Sequence, residues 1–179
     1  MRFVKAFFVA IIGLFIIITL LSLLIPSRVQ VVRSVAIYTT TAAAALKQVA
    51  EVINWKNWHP IFTLDSAIIK SRSLSASGKS MSYVILHRQK ESVVTILSAD
   101  SATVNILMQS PGESDVTNEL SALAIPGQDG IQVSWKAITQ LHWYPWEKFY
   151  AIFLDKLTGP GYDLALTGLK DFLEKHPSE

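Results

Sequence analysis

The stretch that decides the fold is residues 28–62, RVQVVRSVAIYTTTAAAALKQVAEVINWKNWHPIF. It opens with alternation: Val29, Val31, Val32, Val35 and Ile37 are β-branched, and from Arg28 to Tyr38 the chain reads as a strand. Thr39, Thr40 and Thr41 then offer hydroxyls that cap an Ala-rich helix over about residues 41–53. Ala45, Leu46, Val49, Val52 and Ile53 fall at helical spacing, with Lys47, Gln48 and Glu51 on the wet side. Asn54-Trp55-Lys56-Asn57-Trp58-His59-Pro60-Ile61-Phe62 ends that helix, because Asn and Pro break it. Two tryptophans in one turn must cover something apolar.

Downstream, residues 66–141 change to short strands. The spacing predicts strands near 67–73, 80–88, 92–98, 102–109, 114–124 and 130–141. The breaks between them are hairpin-short, as at Ser110-Pro111-Gly112-Glu113 and Pro126-Gly127-Gln128-Asp129-Gly130, so the strands form an antiparallel meander. Ile131, Val133 and Trp135 alternate with Gln132, Ser134 and Lys136. That is the pattern of a sheet with one face covered by a helix and one face wet. Trp143-Tyr144-Pro145-Trp146 leads into a helix from about Glu147, with Phe149, Phe153 and Leu157 as one stripe. Gly159-Pro160-Gly161 is expected to interrupt or kink it before the spacing resumes at Leu164, Ala165, Gly168, Leu169 and Phe172.

Upstream, residues 6–25 carry no charge and no proline. As an α-helix they reach about 30 Å, the thickness of a bilayer's hydrocarbon core. Thr19 and Ser22 can bond back to their own helix. A secretory signal would have a shorter apolar region and a small-residue cleavage site; here the run ends Leu-Leu-Ile-Pro-Ser-Arg. A buried core helix would keep a polar face, and this run has none. The reading is an uncleaved single-pass anchor over residues 1–26 and one soluble domain over residues 27–179. Arg2 and Lys5 favour a cytoplasmic amino terminus, which puts the domain on the periplasmic side of a bacterial inner membrane.

Outside Arg2 and Lys5, fourteen basic side chains balance fourteen acidic ones. A neutral domain lacks the dense basic face that nucleic-acid binding needs. The chain has no cysteine, which excludes disulfides, thiolate zinc sites and thiol nucleophiles. His59, His87, His142 and His176 fall in no metal-ligand spacing. There is no phosphate loop and no GxSxG nucleophile elbow. Asp65, Glu119 and Asp155 suggest no carboxylate pair. No metal, no cofactor and no catalytic residue is assigned.

Three segments carry a resemblance to a known group. Val31–Ile37 followed by Ala42–Val52 looks like its first β-α unit, and Asn54–Pro60 resembles its tryptophan-rich turn. Trp146–Phe149 through Leu157–Gly161 to Leu166–Lys170 resembles the C-terminal helix of its small bacterial members. The group is the START-like superfamily, also described as SRPBCC or the polyketide cyclase/dehydrase and lipid transport proteins. The likeness spans about residues 28–175; the N-terminal anchor is a departure. It implies an α+β helix-grip fold, in which an antiparallel sheet wraps a long C-terminal helix and leaves an apolar cavity. Such a cavity would bind a hydrophobic small molecule or lipid.

On that reading the candidate ligand-binding residues are Trp58, Phe62, Tyr83, Trp135, Phe149, Phe153 and Leu157. Each has a plainer alternative: Trp55 and Trp58 as a plug closing the core, and the helix stripe as ordinary packing. Trp143, Tyr144 and Trp146 suit either a membrane interface or the approach to the last helix. Two other functions stay open. A cyclase or hydratase would need polar groups such as His59, Tyr83 or Glu119 to converge inside. An interaction module would have a filled core and an exposed apolar patch for an unspecified protein partner.

Overall fold

The computed structural model describes residues 2–177, so residues 1, 178 and 179 of the ranges above lie outside it. Helix α1 (Arg2–Ser22) comes first, with strand β1 (Arg28–Ile37) close behind. Helix α2 (Ala42–Ala50), a 3-10 turn (Val52–Asn57) and the one-turn helix α3 (Pro60–Thr63) follow. The meander is β2 (Ile68–Leu74), β3 (Met81–His87), β4 (Lys90–Ala99), β5 (Thr103–Gln109), β6 (Val116–Ala124) and β7 (Ile131–Gln140). Helices α4 (Pro145–Ala151) and α5 (Leu154–Lys175) close the chain. Every strand expected from the sequence is present, with its ends shifted by no more than two residues.

The seven strands form one antiparallel sheet in the order β1-β7-β6-β5-β4-β3-β2. The first strand therefore returns to pair with the last, Val31 opposite Ala137 and Val35 opposite Val133. Register slips between Ile69 and Ser71 and between Ile96 and Ser98 bend the sheet, as bulges do. The β3–β4 hairpin turns on Arg88 and Gln89, both at positive φ (48° and 67°), the geometry of a two-residue loop that matches strand twist.

One face of this sheet is apolar. Ile37, Ile85, Val94, Val104, Ile106, Leu120, Val133 and Trp135 are buried on it. Helix α2 covers β4 to β7, and α5 lies along β1. The Thr41 hydroxyl caps α2 by accepting the Ala44 N–H. The helix is shorter than expected: it ends at Ala50 and tightens into the 3-10 turn, because β-branched Val52 and Ile53 and then Asn54 disfavour its continuation. The tighter turn carries Trp55 inward, where its indole N–H donates to the Val49 carbonyl at 2.9 Å.

The C-terminal helix also departs from expectation. It runs unbroken through Gly159-Pro160-Gly161, and the break falls earlier, at Ile152 and Phe153. There the amides of Ile152 and Phe153 bond three residues back, to Phe149 and Tyr150. Pro160 is tolerated because it sits on the exposed side of α5 between two glycines.

Two glycines set how closely α5 approaches its neighbours. A Cβ on Gly159 would stand 2.1 Å from Nη2 of Arg33, and one on Gly168 would stand 2.3 Å from the Trp58 carbonyl oxygen. The Gly168 neighbour is backbone and cannot swing aside. Gly168→Ala is expected to push α5 off the tryptophan turn and cost about 1–3 kcal/mol, read as a lower urea midpoint. A midpoint equal to wild type would show that this contact is loose.

Candidate functional site

Between α4, α5 and the sheet lies a cleft in two lobes. The outer lobe, about 400 Å³, is walled by Val31, Ala137, Leu141, Tyr150 and Leu154, with Glu113 and Glu147 among its lining. The inner lobe, about 350 Å³, is walled by Ile61, Met108, Trp135, Leu164 and Ala165, with His59 and Asp65 among its lining. Thr158 and Tyr162 line both lobes, so the two abut along one face of α5. Each volume lies in the range that holds a small organic ligand, about 300–1,000 Å³.

The helix phase places this lining. Tyr150, Leu154, Thr158, Tyr162 and Ala165 recur every three or four residues, and Leu169 and Leu173 continue the face into the closed core. The Thr158 hydroxyl donates to the Leu154 carbonyl of its own helix at 2.8 Å, so it presents little free polarity to the cleft. Burial pushes the Tyr162 phenol above its ordinary pKa, which keeps it neutral. Its ring meets Trp135 with centroids 5.3 Å apart.

An aromatic cluster packs behind the inner lobe, which His59 and Trp135 line. His59 stacks on Trp55 (5.1 Å, 10° between planes) and meets Trp135 edge-on at 6.1 Å; Trp58 lies against both Trp55 and His59. The Trp135 indole N–H donates to Asn118 Oδ1 at 2.9 Å, and Asn118 donates in turn to the Val116 carbonyl. His59 caps α3 by accepting the Ile61 N–H at Nδ1 (3.4 Å), so the neutral ring carries its proton on Nε2. Burial holds the His59 pKa down from 6.5 to about 4. The buried Trp58 indole nitrogen has no hydrogen-bond partner among the described residues.

Arg33, on the β1 edge, fixes α5 in place. Its guanidinium is bidentate to Asp155 (2.9 and 3.1 Å) and donates through Nε to Asp163 (3.1 Å). The fork crosses the helix at Gly159, where no side chain stands in its way. Its hydrogen bonds hold the Asp155 carboxyl below the usual carboxylate range.

Of the residues picked from the sequence, Trp135 lines the cleft. Trp58 and Tyr83 are buried in the core, and Phe62 packs on its margin. The stripe of Phe149, Phe153 and Leu157 faces outward, 37%, 56% and 58% exposed. The break at Ile152 and Phe153 sets the phase of α5, and the opposite stripe then looks into the sheet. Tyr150, Leu154, Thr158 and Tyr162 line the cleft in place of that more aromatic stripe. Their signal was in the chain: this phase continues into Leu166, Leu169 and Leu173, whereas the other continues into Leu164 and Gly168. The groups that a cyclase would need do not converge. His59 lies in the inner lobe, Tyr83 lies on β3, and Glu119 pairs with Lys136 on the other face of the sheet.

No protein-family model and no curated protein sequence matches the chain. Solved structures do. A START superfamily protein from Mycobacterium smegmatis superposes with a TM-score of 0.56 at 13% identity, covering 82% of this chain and 98% of that one. A protein of unknown function from Staphylococcus aureus gives 0.59 at 12% identity, over 83% and 96%. The di-domain ARO/CYC StfQ of the steffimycin biosynthetic pathway gives 0.59 at 8% identity, over 83% of this chain and 52% of that one. The chain has the START-like helix-grip fold. Its N-terminal helix is apolar and long enough to cross a membrane.

Proposed function

We propose that this protein is a membrane-tethered binding domain that holds a hydrophobic small molecule or lipid under α5. The observation that carries the reading is the two-lobed cleft, whose lining surface is more apolar than polar in both lobes. Binding would draw on burial of apolar ligand surface, at about 25 cal/mol per Å². The Nε2–H of neutral His59 and the Tyr162 hydroxyl can donate to a ligand oxygen, as can the hydroxyls of Ser114, Thr139 and Tyr150 in the outer lobe. Helix α1 serves as the tether. Its hydroxyls are satisfied internally, Thr19 to the Phe15 carbonyl and Ser22 to the Thr19 carbonyl, as a hydrocarbon medium requires. The charges at Arg2 and Lys5 favour a periplasmic domain on a bacterial inner membrane.

The test fills the junction of the lobes. In full-length protein in detergent, Thr158→Trp is expected to weaken binding of a fluorescent fatty-acid analogue at least tenfold, with circular dichroism unchanged. Native mass spectrometry of protein purified from its own host should show a mass beyond that of the chain. Equal probe binding by variant and wild type, with a clean apo mass, would sink the reading.

A further inference from the structure

Helix α4 is built inside out. Its lysine points inward: Lys148 is 3% exposed, and its ammonium donates to the Ile25 carbonyl at 3.1 Å and to the Ser27 hydroxyl. Its large apolar side chains point to the outside. Trp146, Phe149, Tyr150, Ile152 and Phe153 are all exposed, with Trp143 before them and Leu157 one turn on. Tyr144 stacks on Trp146 with centroids 4.9 Å apart and planes within 6°, which holds the tryptophan in place. A helix at a water-facing surface carries the reverse pattern, and a contiguous exposed apolar face marks something that covers it.

The position of α4 identifies the cover. It is the element that α1 meets, and Lys148 grips the chain at Ile25 and Ser27, where the apolar run ends. If α1 spans the bilayer, α4 is therefore held at the level of the headgroups. Tryptophan and tyrosine settle at that depth. Cations are sparse on this face: Lys148 is turned in, and Lys156 is the next one along the chain. Attraction to anionic lipid is thus not what would hold the face down.

We propose that the segment Trp143–Leu157 is a bilayer-docking face, which lies in the membrane interface beside the tether and binds neutral lipid by apolar insertion. The proposal rests on the membrane reading of α1. It deepens the functional reading as well. Tyr150 belongs to the exposed face and also walls the outer lobe, so the cleft opens directly beside the acyl chains from which an apolar ligand would come.

The test uses the full chain reconstituted in phosphatidylcholine vesicles containing brominated lipid. Bromine quenches tryptophans within contact range. Of the five tryptophans, Trp143 and Trp146 are exposed, and Trp55, Trp58 and Trp135 are buried in the domain. Brominated lipid is expected to remove roughly two fifths of the emission, and Trp143→Phe with Trp146→Phe together to abolish most of that loss. The quenching should be the same with added phosphatidylglycerol and in high salt. Protein that fails to float with the vesicles overturns both the tether and the docking face. Protein that floats but is not quenched overturns the docking face alone and leaves the tether. Quenching that needs anionic lipid overturns apolar insertion. Absence of quenching together with self-association in the vesicles assigns the face to a second copy of the chain, against the proposal.

Discussion

Replacing Trp135 with alanine is expected to cost about 3–5 kcal/mol. The indole is 2% exposed, walls the inner lobe, and touches both His59 and Tyr162. Its removal forfeits the largest apolar side chain on β7 and leaves the buried Asn118 Oδ1 without its donor. A loss of that size is a large part of the roughly 5–15 kcal/mol that holds a typical domain together. The measurement is urea unfolding, with the midpoint lowered and the slope unchanged. Trp135→Phe separates the two contributions. It keeps a ring against Tyr162 but still orphans Asn118, for an expected cost of about 1–3 kcal/mol. If the alanine and phenylalanine variants unfold at the same urea concentration, the ring is not packed as described.

The second large effect is on acid. His59 is buried neutral, with its pKa lowered from 6.5 to about 4. The unfolded chain takes up this proton near pH 6.5, and the folded protein resists it until about pH 4. Stability from His59 is therefore complete above about pH 6.5, declines as the pH falls, and is gone below about pH 4. At about 1.4 kcal/mol per pH unit the total is about 3 kcal/mol. Further acid reaches the carboxylates. Asp155 is held down by its hydrogen bond to Arg33, Asp65 by that to Arg88, and Asp100 by the backbone amides of Ala102 and Thr103. Their contributions are present above the usual carboxylate range and are lost as the pH falls through their lowered values. Urea unfolding across this range, compared between wild type and His59→Gln, isolates the imidazole. The variant should be nearly flat from pH 7 to the upper edge of the carboxylate range, where wild type declines. A wild-type profile equally flat there would mean that His59 charges freely in the folded state.

Much of this architecture is legible in the chain because the signals are local. Val29 to Ile37 alternate whatever they pair with, and Thr41 caps α2 through an amide three residues away. The apolar run ending at Ile25 needs no partner to be recognised. The tryptophan turn is legible as a cover but not as a mechanism. Its pairing of Trp55 with the Val49 carbonyl, and of His59 with Trp55 and Trp135, depends on where β7 and α5 lie.

Composition, periodicity and turn chemistry thus determined the order of elements, the antiparallel meander and the apolar N-terminal helix, since each is a property of neighbours along the chain. The tertiary structure alone decided which stripe of the C-terminal helix faces the sheet. That choice depends on a change of phase at Ile152 and Phe153. It also depends on two contacts across more than a hundred residues, Arg33 over Gly159 and Trp58 against Gly168. Where both stripes of a helix are apolar, hydrophobicity does not rank them, and the fit against a distant strand does. The outcome turned Phe149, Phe153 and Leu157 to the outside and gave the cleft to Leu154, Thr158 and Tyr162.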